Sequence, residues 1–202
     1  RDSLPYARGY LGGRALASRL AWEEIPPLGD AFAPGNRVII TTGPLTGTLA
    51  PTAGRTVMGS LSPRVYPRPW YTHSTLGGWF GPELKYAGYD GMIIEGASKS
   101  PVYLYVDNER AELRDAARVW GERTDATQQW LKGDIGDEAA QLAVIGPAGE
   151  RMVRFANITA GCRSLGRGGI GAVLGSKKFK ALAVRGKGKL EVHDMEGTLK
   201  LS

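Results

Sequence analysis

Glycine, at 29 of 202 residues, limits what this chain can fold into more than any other feature. That is about 14%, roughly twice ordinary usage, and glycine weakens helix and strand interiors because it loses so much backbone freedom on folding. Together with 12 prolines it predicts short elements, tight turns and close backbone approaches rather than long helices. The remainder is ordinary for a globular protein. With 42% hydrophobic and 23% charged residues, a disordered tail, a collagen-like repeat and a whole-chain coiled coil are excluded. The length suits one domain or two small ones, and without an internal repeat or a clean linker one α+β domain is the economical reading.

A helix is expected over 12–24, where Leu16, Leu20 and Ala21 fall at helical spacing and Pro26-Pro27 end the run. The β-branched run 37–42, closed by Gly43-Pro44, reads as a buried strand. From 43 to 81 the chain is turn-rich, either a long functional loop or a set of short strands. Runs at 91–96, 101–106 and 111–114 read as a β-meander. A helix over 125–132 has Asp125 as its N-cap and Gly133 as its stop. Strands at 141–145 and 151–156 about Gly146-Pro147-Ala148-Gly149 read as a hairpin, and a Gly-rich loop, a short helix near 170–174 and a strand at 181–184 follow.

The net charge of +6 is unevenly spread. Residues 1–150 carry 15 Lys/Arg against 17 Asp/Glu, whereas residues 151–202 carry 11 against 3. A basic last quarter calls for an anionic partner: phosphate, nucleic acid, a membrane surface or an acidic subunit.

The most informative segment is 161–175, with six glycines and two arginines, Arg163 and Arg167. Such a backbone approaches a ligand closely while guanidinium forks grip phosphate oxygens, and a helix starting near Ile170 adds its free N–H groups. The bland alternative is a Gly-rich packing loop with solvated arginines. Residues 166–171 match G-x-G-x-x-G, with Glu191 about twenty residues on, but a loop precedes them and the neighbouring strands suggest antiparallel pairing, so a dinucleotide fold is not indicated. Gly175-Ser176-Lys177 lacks the order and spacing of a P-loop. A polar turn at 46–55 delivers Arg55, and 73–85 sets His73, Ser74 and Thr75 before Gly77-Gly78. His73 has no second ligand at metal-binding spacing, and Trp70, Tyr71, Trp79 and Phe80 serve core packing or stack on a flat ligand.

Cys162, the single cysteine, excludes a disulfide framework and any multi-cysteine zinc or iron–sulfur site within the chain. It also has no histidine nearer than His193, so no Cys/His or Ser/His/Asp set can be argued and no catalytic residue is assigned. A reducing, cytoplasmic compartment is expected, with no membrane partner, since no apolar run approaches the roughly 18 residues that span a bilayer. A start at Arg1 rather than methionine suggests processing or a piece of something longer.

In order along the chain, four runs resemble the N-terminal domain of the tungsten-containing aldehyde ferredoxin oxidoreductase family. They are Thr-Gly-Pro-Leu-Thr-Gly-Thr at 42–48, Gly-Trp-Phe-Gly-Pro-Glu-Leu-Lys-Tyr-Ala-Gly-Tyr-Asp at 78–90, Ile-Gly-Pro-Ala-Gly-Glu at 145–150 and Gly-Arg-Gly-Gly-Ile-Gly-Ala-Val-Leu-Gly-Ser-Lys at 166–177. The resemblance extends from about residue 9 to 185. It implies a β-rich α+β domain of mostly antiparallel strands with a few short helices, cradling a bis-pterin cofactor that carries tungsten or molybdenum. Residues 1–190 would be this metallopterin-cradling domain and 191–202 a charged segment leading towards a second domain. By the same resemblance Arg55, Gly77, Arg163, Gly166 and Arg167 hold the pterin phosphates, and a magnesium ion joining those phosphates is bound at the places of Thr75 and Ser164. The family commonly has asparagine where Thr75 stands. A 4Fe-4S cluster and the substrate pocket would lie on later domains or a partner chain, and the implied reaction is oxidation of an aldehyde to a carboxylic acid with ferredoxin as acceptor.

Two other functions compete with this one. A basic binding module could use Arg163, Arg167, Lys177, Lys178, Lys180, Arg185, Lys187 and Lys189 on nucleic acid or an acidic partner, with steep salt dependence as its mark. A cofactor-storage or assembly protein would keep the fold and lose the reaction. Nucleic acid is the less expected partner. The remaining domains or subunit of the oxidoreductase, and self-association through an uncovered apolar face, are the more expected contacts.

Overall fold

The computed structural model describes residues 3–27 and 29–202. Two sheets face each other across one apolar core. The first has the order β3-β2-β1-β4 and is antiparallel throughout, from β1 (Val38–Thr42), β2 (Thr56–Leu61), β3 (Tyr71–Leu76) and β4 (Gly91–Ile94). The second has the order β6-β5-β10-β7-β8-β9, from β5 (Val102–Asp107), β6 (Arg110–Asp115), β7 (Gln141–Val144), β8 (Ile158–Ala160), β9 (Arg163–Leu165) and β10 (Phe179–Arg185). Among the described residues only β5 and β10 run parallel. The architecture is thus α+β with mostly antiparallel strands.

Period-two alternation decides which side chain enters which layer. On β10 Leu182 and Val184 face the space between the sheets, while Ala181 and Ala183 face outward. On β1 Val38 and Ile40 face in and Ile39 faces out. The inner layer also takes Phe80 and Leu84 of α3 (Phe80–Tyr86) and Ile170, Val173 and Leu174 of α6 (Ile170–Ser176). Outside the first sheet, Ala17 and Ala21 of α2 (Gly13–Glu24) cover Ile39 and Val57. Outside the second, Leu131 of α4 (Thr124–Ile135) covers Tyr103, Leu142 and Val144. The exposed edge strand β6 reads Arg-Ala-Glu-Leu-Arg-Asp, and its charges discourage pairing with another chain.

Several local expectations are corrected. The turn-rich stretch 43–81 takes the second of its two readings, a set of short strands, β2 and β3, but α3 follows them where no helix was expected. A short helix, α1 (Leu4–Tyr10), was likewise not anticipated. Gly133 does not stop α4; the helix continues to Ile135, which packs on the outer cluster, and Gly136 at φ 73° takes the left-handed cap. Nor does Asp125 cap it, because the N-cap position falls on Arg123. The expected hairpin 141–145/151–156 is absent. Pro147–Glu150 forms a helical turn, α5, and β7 pairs instead with β8 through Val144 and Thr159. The reason is a backbone contact: a β-carbon on Gly149 would lie 2.9 Å from the Gly171 carbonyl oxygen, so α5 packs directly on α6 and draws 151–156 away from the sheet. α7 (Met195–Leu201) buries no residue. Among the described residues no helix is long and apolar enough to cross a membrane.

Lys177 and Lys180, both in the basic last quarter, turn inward. Lys180 is fully buried, with its ammonium on the Glu150 carboxylate and on the Glu122 carbonyl at 3.0 Å. Lys177, 2% exposed, donates at 2.9 Å to the carbonyls of both Pro34 and Gly96 and so ties two loops to the end of α6. Burial lowers its pKa from 10.5 to about 8, opposed by Glu95 and reinforced by Arg37. Between pH 8 and 10.5 the unfolded chain therefore binds the extra proton, and raising the pH through that window favours the folded state. The wild type should gain on Lys177→Met by up to about 3 kcal/mol across it. Denaturant titrations at the two ends of the window check this; a stability difference that stays flat with pH would refute it.

Candidate functional site

The site lies where two sheet edges meet. Strand β3 is an edge of the first sheet, β9 is an edge of the second, and the two lie side by side without pairing in a ladder. Open edges present unpaired backbone N–H and C=O groups, which makes this seam a place for polar ligands.

Each side of the seam is built by an identifiable local device. Thr46, fully buried, accepts from the Gly43 N–H at 3.0 Å and donates to the Ala53 carbonyl at 2.8 Å, pinning the loop that delivers Arg55 to the start of β2. Arg55 Nη1 then donates to Thr75 Oγ1 at 3.1 Å, where Val57 of β2 pairs with Thr75 of β3. On the other side β8 and β9 form a hairpin through Gly161 and Cys162, with Gly161 at φ 55° as two-residue hairpin turns require. Gln128 of α4 braces that turn by accepting from the Gly161 N–H at 2.8 Å. Asn157 Nδ2 donates to Ser164 Oγ at 2.8 Å, just ahead of β8.

Two adjoining depressions result, each of about 490 Å³. One is lined by Arg55, Gly77 and Arg163, the other by Gly166 and Arg167, and both are lined by Thr75 and Ser164. All seven residues singled out in the sequence stand at this seam. Arg55, Arg163 and Arg167 are exposed, and none pairs with a carboxylate among the described residues. His73 and Ser74 also line the second depression, and Thr52, Gly54, Gly78 and Cys162 the first. Sequence reasoning missed Gln128 and Asn157, because a lone amide carries no motif and its role depends on what folds beside it. Among the described residues no group of three or more His, Cys, Asp or Glu is placed to hold a metal ion.

The glycines divide sharply by role. A β-carbon on Gly77 or Gly166 would meet no atom within 4 Å and would stand in the open depressions, so these positions let a ligand reach the backbone. Gly169, Gly171 and Gly175 do the opposite. A β-carbon on any of them would collide with the backbone carbonyl of Arg154, Asn157 or Gly149 respectively. Within one run, therefore, the first glycines shape a surface and the later ones allow α6 to pack.

A family model described as "Aldehyde ferredoxin oxidoreductase, N-terminal domain" matches residues 2–186. The chain belongs to this family. Tungsten-containing aldehyde ferredoxin oxidoreductase of Pyrococcus horikoshii is 46% identical over 190 residues, and that of Pyrococcus furiosus 44% over 191 residues. Each match covers 94% of this chain and 31% of the relative. The "Aliphatic sulfonate oxidoreductase, WOR-like subunit" of P. furiosus is 38% identical over 208 residues, covering 93% of this chain and 32% of the relative. Among solved structures, a chain from the active site complex BamBC of benzoyl coenzyme A reductase, in complex with 1,5-dienoyl-CoA, superposes with a TM-score of 0.89 at 40% identity. That match covers 94% of this chain and 28% of the other. The present chain thus spans about a third of the length of its curated relatives, and the oxidoreductase family N-terminal domain accounts for nearly all of it.

The same geometry shrinks the competing basic surface. Lys177 and Lys180 are buried, and Arg185 is held by Asp137 at 2.9 Å and Glu83 at 3.2 Å. Three of the eight cations in that reading are internal or already paired.

Proposed function

We propose that this chain is the cofactor-seating N-terminal part of an oxidoreductase that converts aldehydes to carboxylic acids with ferredoxin as electron acceptor. Its seam would hold the phosphates of a tungsten or molybdenum bis-pterin, with Arg55 and Gly77 on one side, Gly166 and Arg167 on the other, and Arg163 beside the first depression. A magnesium ion joining the two phosphates would sit at Thr75 and Ser164. The observation that carries this reading is the pair of depressions sharing Thr75 and Ser164, each with its own unpaired arginine and open glycine. Two phosphates with one bridging cation suit that arrangement, because magnesium prefers oxygen donors and takes several of them from phosphate.

When bound, the metallopterin supplies the oxidation itself: an aldehyde and water give a carboxylate, three protons and two electrons. The residues of this chain position. Arginine forks meet phosphate oxygens two at a time, glycine leaves room for the backbone N–H groups, and the Arg55–Thr75 and Asn157–Ser164 hydrogen bonds hold the shared wall between the seats. A 4Fe-4S cluster would be carried by the rest of the protein or a partner chain. The substrate would also be chosen elsewhere, since relatives named for aldehydes, sulfonates and benzoyl coenzyme A all match this chain over 93–94% of its length.

Elemental analysis of the full-length protein, made in a host able to supply the cofactor, tests this reading. Tungsten or molybdenum, magnesium, and fluorescent oxidised pterin released on denaturation are expected together. Protein without pterin and without either heavy metal would sink it.

A further inference from the structure

Acidic side chains are missing from two long stretches of this chain: there is no Asp or Glu between Ala31 and Pro82, or between Arg151 and Leu190. The fold brings loops from both stretches together on one surface. Arg154 Nη1 donates to the Pro63 carbonyl at 2.9 Å, and a β-carbon on Gly169 would lie 3.0 Å from Pro63, so the 63–70 loop lies against 154–155. That surface carries large aromatic groups in water, Tyr66 at 88%, Trp70 at 70% and Phe155 at 70% exposure. Arg64, Arg68 and Arg154 stand among them, exposed and without a carboxylate partner among the described residues.

Solvated aromatics cost free energy and arginines without counter-charges repel one another, so this composition calls for a covering partner. Trp, Tyr and Arg are the residue types that dominate binding energy in protein interfaces. All three cations are arginines rather than lysines, which favours forked pairing with fixed carboxylates. The partner that fits is an acidic protein. The surface also adjoins the cofactor seam: Ser62 Oγ donates to the Gly168 carbonyl at 2.8 Å, and Gly168 directly follows Arg167.

We propose that this arginine and aromatic surface, formed by the 63–70 loop and residues 154–155, is where a ferredoxin, a small acidic iron–sulfur protein, docks to collect electrons. The proposal rests on the reading above that the whole protein uses ferredoxin as its acceptor. Two electrons leave with each aldehyde oxidised, and oxidised ferredoxin is the oxidant that takes them up.

The test uses the full-length holoprotein and its Arg64→Glu/Arg68→Glu and Trp70→Ala variants, with oxidised ferredoxin as the probe. Binding is read by surface plasmon resonance at low and high salt, and aldehyde oxidation is read with ferredoxin and with a small viologen dye. Kd and KM for ferredoxin should rise about tenfold or more in the variants, with a shallower salt dependence for the charge reversal, while turnover with the dye is unchanged. Variants that bind ferredoxin as the wild type does would overturn the docking surface and leave the acceptor reading standing. A wild type that oxidises aldehyde with the dye yet binds no ferredoxin would overturn both. Hydrogen exchange of the full-length protein without ferredoxin gives a further outcome: strong protection of 63–70 and 154–155 would mean that the rest of the chain, or a second copy, already covers this surface, and would overturn the proposal.

Discussion

Gly175→Ala should destabilise the folded protein by about 3 kcal/mol or more. The added β-carbon would fall well inside the contact distance of the Gly149 carbonyl oxygen and close to the following Glu150 nitrogen. Both partners are backbone, so no side chain can swing aside, and α5 would have to lift from α6. The consequence is large because α6 contributes Ile170, Val173 and Leu174 to the core between the sheets. Against a typical total of about 5–15 kcal/mol such a loss is a substantial fraction. Gly166→Ala, nine residues earlier in the same glycine-rich run, is the matched control. It meets no atom within 4 Å, and stability should stay within about 0.5 kcal/mol of wild type. Thermal and denaturant unfolding of the two variants measures the contrast; equal effects would contradict the division of glycines into packing and ligand-facing sets.

The second large effect is expected on the cofactor. Arg163→Ala and Arg167→Ala each remove a charged fork facing the seam, and a hydrogen bond to a charged group is worth about 1.5–3 kcal/mol. Pterin and metal retention should therefore fall about 10- to 100-fold for each variant. Lysine at either position should restore only part of the loss, since an ammonium is a point charge without the planar fork. The measurement is tungsten or molybdenum and pterin per mole of full-length protein after gel filtration. Full retention in the Arg163→Ala/Arg167→Ala double variant would remove these arginines from the phosphate seats.

Much of the fold was legible in residue order because alternation and breaker residues act locally. The strands at 37–42, 91–96, 101–106, 111–114 and 181–184 all stand within a few residues of expectation, each bounded by glycine, proline or a polar turn. The expected meander over 91–114 does not form, because β4 joins β1 in the first sheet and only β5 and β6 pair as neighbours in the second. What failed did so where a long-range contact outweighed a local signal. Gly133 reads as a helix stop, yet burial of Leu131 and packing of Ile135 against the outer cluster carry α4 through it. The 151–156 run alternates like a strand, yet the Gly149 to Gly171 backbone contact places it outside the sheet and leaves Phe155 in water.

By itself the sequence determined the kind of domain, a glycine-rich α+β fold of short antiparallel strands, its family, and the arginines and glycines that the fold gathers at one seam. Those follow from residue type, spacing and motif order. Only the tertiary structure decided which glycines face open space and which allow packing, because that depends on the atom standing opposite each one. It alone decided that Lys177 and Lys180 serve the interior while Arg163 and Arg167 serve the surface, since the two lysines meet loop carbonyls and Glu150 inside the fold and the two arginines stand at the open seam. It also joined Thr75 to Ser164, 89 positions apart, by setting the edges of two sheets side by side. No local pattern encodes that meeting, because it is the sum of every strand pairing in both sheets.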